Sequence, residues 1–135
     1  MASRNPYETY QTNSVTTAPP GELTLMLYNG CLKFIGLAKI AITENQIEDR
    51  NRNIQKAQNI IAELMATLNM EIGLAKEMMP LYEYVNRRLL EANIHQDLEL
   101  LKEAEDIITE FRDVWKEALQ INRKQQHSPS KRTMP

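Results

Sequence analysis

Apolar residues recur every three or four positions through four successive stretches of the chain, with only short breaks between them. That interval matches the 3.6-residue turn of an α-helix and cannot be laid onto a strand, whose faces alternate every second residue. The first stretch opens at Ala18-Pro19-Pro20-Gly21-Glu22 and runs to Thr43; proline is pre-set for a helix's first turn. Asn45 and Glu48 read as a variant capping box for a second helix, predicted to reach Ile72 and to be closed by Gly73. A third is predicted over Lys76–Asn93, with Pro80 in its first turn, and Asp97 caps a fourth that reaches Lys124. Short links between helices of this length favour antiparallel neighbours. The expected fold is therefore all-α, an antiparallel up-down-up-down four-helix bundle over residues 18–124. Residues 1–17 read as a flexible N-terminal segment whose Tyr7, Tyr10 and Val15 can form a partial apolar cover, and residues 125–135 as a disordered basic tail.

With 135 residues the chain is sized for one domain, and four Gly and six Pro are too few turn-formers for a sheet protein. A net charge of −2 gives no overall positive field to attract nucleic acid. The single Cys31 excludes an internal disulfide framework and fits a reducing compartment. Met1-Ala-Ser-Arg-Asn-Pro-Tyr-Glu8 has no apolar run of the signal-peptide kind, and no unbroken apolar run of about eighteen residues marks a membrane span. A cytoplasmic protein without membrane insertion is expected.

The helices differ in how much apolar surface they carry. In helix two, Ile47, Ile54, Ala57, Ile60, Ile61, Leu64, Met65, Leu68 and Ile72 span an arc of about 140° at 100° per residue. Helix four likewise sets Leu101, Ala104, Ile108, Phe111, Val114, Trp115 and neighbours against a charged face. Helix one stands apart. Leu23, Met26, Leu27, Phe34, Leu37, Ala38 and Ala41 make an ordinary core stripe, and Leu25, Tyr28, Cys31, Leu32, Ile35 and Ile42 widen it to about 260°. A bundle helix needs about half that width. The surplus marks a covered face, with the N-terminal segment, a second subunit or a bound chain as the candidate cover. Gly30 and Gly36 inside this helix are expected to admit close approach by another backbone. In helix three, Arg88 falls within the apolar stripe and is expected to snorkel or to pair with a helix-four carboxylate.

Catalytic constellations are absent. His95 and His127 lack the Glu-x-x-His spacing of a bundle di-metal site, one Cys cannot build a zinc site, and no phosphate-binding Gly-rich loop occurs. Neither a metal nor a cofactor is expected, and the chain reads as a binding protein rather than an enzyme.

Pro20-Gly-Glu-Leu-Thr-Leu-Met-Leu-Tyr-Asn-Gly30, Lys56-Ala-Gln-Asn-Ile-Ile61 and Leu81-Tyr-Glu-Tyr-Val-Asn-Arg-Arg-Leu-Leu-Glu-Ala-Asn93 form a specific combination. With Phe111-Arg-Asp-Val-Trp115 and the opening Tyr7-x-x-Tyr10, the chain resembles the bacterial flagellin-specific export chaperones, the FliS family, from Asn5 to Ile121. Asn29 stands where the family usually has an acid. The resemblance implies a four-helix bundle that binds the disordered C-terminal region of flagellin in the cytosol. It also implies that the bundle blocks premature polymerisation and delivers the cargo to the export gate protein FlhA. Gate docking through apolar residues near the N-terminus maps onto Tyr7 and Tyr10. The wide arc of helix one nominates Leu25, Tyr28, Leu32 and Ile35 as flagellin contacts, with helix four as a lesser contributor. Weak self-association is compatible with the same surface, and the alternative reading is a homodimeric helical scaffold with helix one in a permanent interface.

Overall fold

The computed structural model describes residues 21–68 and 73–126, and these form four helices: α1 Glu22–Thr43, α2 Ile47–Ala66, α3 Gly73–His95 and α4 Leu98–Gln126. The predicted N-terminal segment and nearly all of the predicted tail lie outside the described residues. Helix α1 packs against α2 and α4, and α3 against the same two, which closes a four-membered ring. Pairings at the helix ends set the directions. Arg50 and Asn51 at the start of α2 bond Asn93 near the end of α3. Lys39 near the end of α1 pairs with Glu105 early in α4 at 2.8 Å. At the opposite end, the Trp115 indole donates to the Gly21 carbonyl at 2.8 Å. Ring neighbours thus run antiparallel.

The core is continuous through all four helices. Helix α1 supplies Leu27, Tyr28, Cys31, Phe34, Ile35 and Ala38, and α2 supplies Ile54, Ala57, Ile60, Ile61 and Leu64. Helices α3 and α4 close it with Tyr82, Val85, Leu89, Ala92, Leu101, Ala104 and Ile108. The stripe of α1 is therefore centred differently from the predicted one: Leu37 is 41% exposed, while Tyr28 and Ile35 point inward. Gly30 makes room for a side chain and not for another backbone, since a Cβ there would stand 3.3 Å from Ile60 Cδ1; Gly36 has nothing within 4 Å and serves no approach.

The helix ends correct several expectations. Asn45 does not cap α2 but ends α1. It adopts a left-handed φ of 59°, and the N–H groups of Gln46 and Asn45 bond back to the carbonyls of Ala41 and Ile42. That is a Schellman closure with Asn in the position usually held by Gly. Gln46 then stands at the start of α2 with no side-chain cap. Helix α2 stops at Ala66, where the Thr67 hydroxyl donates to the Leu64 carbonyl at 2.8 Å, and Gly73 opens α3 instead of closing α2. Pro80 consequently lies inside α3, not in its first turn. Its missing N–H leaves the Lys76 carbonyl without an intrahelical partner, and both residues are exposed, where water can take up that carbonyl. Asp97 caps α4 as expected, accepting from the Glu99 N–H at 2.9 Å.

By length and composition α1 could cross a membrane, with a mean hydropathy of 1.4 over its apolar window. This narrows the expectation that no segment could. Seven of its side chains are packed in the core and Lys39 reaches across to α4, the arrangement of a central bundle helix.

Leu64 lies 1% exposed among five core residues of α2. Leu64→Ala should lower the unfolding free energy by about 2–5 kcal/mol in a denaturant titration. A loss under about 1 kcal/mol would place Leu64 outside the core.

Candidate functional site

Near the end of the bundle where α1 begins, α3 and α4 part to leave an apolar cleft of about 310 Å³. Glu77, Met78 and Leu81 form the α3 wall, Phe111, Val114 and Trp115 the α4 wall, and Tyr28 of α1 contributes from beneath. Two large apolar side chains of the walls are open to solvent: Leu81 at 44% and Val114 at 68%. Val114 and Trp115 line the cleft together with Glu77, Met78 and Leu81 from the first turns of α3, so the cleft opens within the paired length of the two helices.

The floor is aromatic and rigid. The Tyr28 and Tyr82 hydroxyls meet at 2.5 Å across the bundle diagonal, and the Phe111 ring stands edge-on to Tyr82 at 5.5 Å and tilted over Tyr28 at 6.2 Å. Burial pushes both phenols above their ordinary value of 10.0; at Tyr28 the bond from Tyr82 offsets part of this, whereas at Tyr82 the contact adds to it. Cys31, fully buried beside the Ala57 carbonyl, has its thiol pushed up to about 12 by the same desolvation. A thiol so disposed is a packing group, not a nucleophile.

Farther along the same seam, the Tyr84 hydroxyl donates to Glu103 of α4. Arg88 lies over the Tyr84 ring at 5.1 Å and pairs with Glu91 of its own helix. Of the two expectations for Arg88, the ion pair forms with Glu91 of its own helix and not with a helix-four carboxylate. Among the described residues no group of three or more metal-ligating side chains occurs.

The residues nominated on α1 separate. Leu25 and Leu32 are half-buried, and Leu32 packs against the core from its edge. Tyr28 is 1% exposed and Ile35 fully buried, so these two do not form an outer face with the leucines. Two flanking helices and the diagonal α3 absorb most of the wide arc; what α1 turns outward is Asn29, Lys33, Leu37 and Ile40. Tyr28 nonetheless reaches the cleft from below. Tyr7 and Tyr10 lie outside the described residues. Sequence patterning puts Leu81, Val114 and Trp115 in their helices' apolar stripes but does not set them aside as a site. The one pointer to them is the expectation that helix four contributes to the contact, which names no residue.

Residues 3–122 match the family described as Flagellar protein FliS. The flagellar secretion chaperone FliS of Bacillus subtilis (strain 168) is 57% identical over 127 residues, covering 94% of this chain and 96% of the relative. That of Escherichia coli (strain K12) is 32% identical, covering 79% and 81%. A crystal structure of a bacterial flagellar chaperone shares the fold, with a TM-score of 0.70 at 18% identity over 84% of this chain and 94% of the other.

The buried hydroxyls and thiol make stability alkali-sensitive in a defined direction. The folded chain keeps these protons while the unfolded chain releases them near 9.0 for Cys31 and 10.0 for the tyrosines. Their contribution is therefore complete below pH 9.0 and is lost as pH rises toward 12. Urea midpoints should be level from neutrality to pH 9.0 and decline steadily above it. Midpoints that stay level to pH 12 would show these groups ionising freely in the folded bundle.

Proposed function

Because this chain belongs to the FliS family of flagellar secretion chaperones, we propose that it binds the disordered C-terminal region of flagellin and hands it to the export gate. The observation that carries this reading is the open apolar cleft between α3 and α4. An amphipathic segment that is disordered when free can fold as a helix into such a groove, presenting anchors at three- and four-residue intervals. Met78, Leu81 and Val114 grip those anchors over the Phe111 and Tyr28 floor. Half-buried Leu25 and Leu32 supply a second, shallower contact along α1, where the cargo continues beyond the cleft. Each apolar side chain buried adds about 1.5–3 kcal/mol, from which the ordering of the segment is subtracted.

Occupying the flagellin terminus competes with its self-association, so a binder suffices and no turnover or cofactor is required. The chaperone works in the cytosol. Tyr7 and Tyr10 dock the loaded complex on the gate protein FlhA, and in the empty protein the same segment covers apolar surface.

Titration calorimetry with a flagellin C-terminal segment, paired with light scattering, tests the whole reading. One-to-one binding by a monomer is the expected outcome. An inseparable dimer that ignores the segment would favour a permanent helical scaffold instead. Val114→Asp should leave the melting curve unchanged, since Val114 is 68% exposed, and weaken segment binding about tenfold or more. Retained affinity would move the site elsewhere on the bundle. Tyr7→Ala with Tyr10→Ala should preserve segment affinity and reduce capture of the loaded complex by FlhA; equal capture refutes their docking role.

A further inference from the structure

The cleft ends in a polar cluster with one donor left over. At 100° per residue, Leu81, Tyr84 and Arg88 fall within about 60° on α3, so the face that walls the cleft continues past it. About one turn beyond Leu81, the Tyr84 hydroxyl donates to Glu103 of α4 and bars the seam. Side chains on a helix lean back toward its N-terminus. Arg88 accordingly lies over the Tyr84 ring, its guanidinium 5.1 Å from the ring centre, which brings it one turn closer to the cleft. The Arg87 guanidinium stands 5.9 Å from the same ring. Both carboxylates of the cluster are already engaged, Glu103 by the Tyr84 hydroxyl and Glu91 by Arg88 Nη2. Arg88 Nε is closed to solvent and has no partner among the described residues, although the side chain as a whole is 25% exposed.

We infer that Arg88 receives the C-terminal end of the helix bound in the α3–α4 cleft and so fixes the direction in which the cargo lies. The inference rests on the flagellin reading of the cleft and adds which way round the segment binds. A buried donor without an acceptor is held at a cost, so an oxygen offered to it is favoured. A helix supplies such oxygens at one end only: its last four carbonyls lack intrahelical partners and carry the negative end of the dipole. Arg87 and Arg88 balance the charges of Glu91 and Glu103, so direction falls to hydrogen bonding, where the missing group is an acceptor. The guanidinium presents Nε and an Nη in one plane, a fork that matches a carboxylate or a pair of carbonyls. Rotation of the arginine side chain is enough to present it, with the bar of Tyr84 and Glu103 left in place. A cargo helix anchored over Leu81 then runs parallel to α3 and ends against Arg88.

Nitroxide labels read this direction in the full-length protein. They are placed at either end of a flagellin C-terminal segment trimmed to the shortest length that binds. The C-terminal label should broaden the amide signals of residues 84–91, and the N-terminal label those of residues 75–78. The reverse pattern, or one pattern from both labels, overturns the inference. Arg88→Gln should keep the parent's melting curve, bind the segment about tenfold more weakly and lose the distinction between the labels. Parent-like affinity with an unchanged direction would make the arginine merely structural and overturn it as well. Should Arg88→Gln fail to fold, the labels on the parent decide alone. Amidating the segment's terminus separates two sources of the same acceptor chemistry. A loss as large as that of Arg88→Gln assigns the terminal carboxylate, and unchanged affinity assigns the last helical carbonyls. A parent that does not bind the segment at all refutes the flagellin reading itself, an outcome distinct from binding in the wrong direction.

Discussion

Two phenol hydroxyls meeting at 2.5 Å inside an otherwise apolar interior set the register of the whole bundle. Tyr28 and Tyr82 come from helices on opposite corners of the ring, and each would bury an unsatisfied polar atom if either helix slid by one turn. Apolar side chains tolerate such sliding because dispersion contacts are non-directional; a buried hydroxyl does not, since losing its partner costs about 1–3 kcal/mol. The pair also holds the ring of Phe111, which packs on both tyrosines. Through Phe111 the α4 wall is brought into line with the floor, so the cleft inherits its shape from this one polar contact.

How far the fold is legible in the sequence follows from what periodicity encodes. It records angles around each helix axis, so the four helices, their apolar stripes and the Asp97 cap can all be read from residue order. It does not record where neighbouring helices stand. The 260° arc on α1 is real, but three neighbours consume most of it, which is why Ile35 is core while Leu37, about 160° away around the helix, is 41% exposed. Local chemistry misleads in a consistent way at the links. Asn45 is favourable both as an N-cap and in a left-handed closing position, and the two roles differ by one residue. The Schellman hydrogen bonds to Ala41 and Ile42 decide for the second role.

The cleft is hidden from the sequence for a related reason. Leu81 and Val114 sit at stripe positions that are buried in most helices, and only the three-dimensional spacing of α3 and α4 leaves them exposed at a cleft. Arg88 illustrates the same limit among polar groups. A cation within an apolar stripe stands out in the sequence, yet which groups it meets, the Tyr84 ring and Glu91, is set only in the folded arrangement.

The size of the cleft limits how tightly it can hold a bound chain. A space of about 310 Å³ takes only a few side chains, so a longer chain is gripped well at a few anchors and loosely elsewhere. The ordering cost of a disordered cargo subtracts from those few strong contacts, so net affinity stays moderate even when the buried surface is large. Trp115 stands in the wall of the cleft with its indole donating to the Gly21 carbonyl, so the α4 wall and the start of α1 are held together by one side chain.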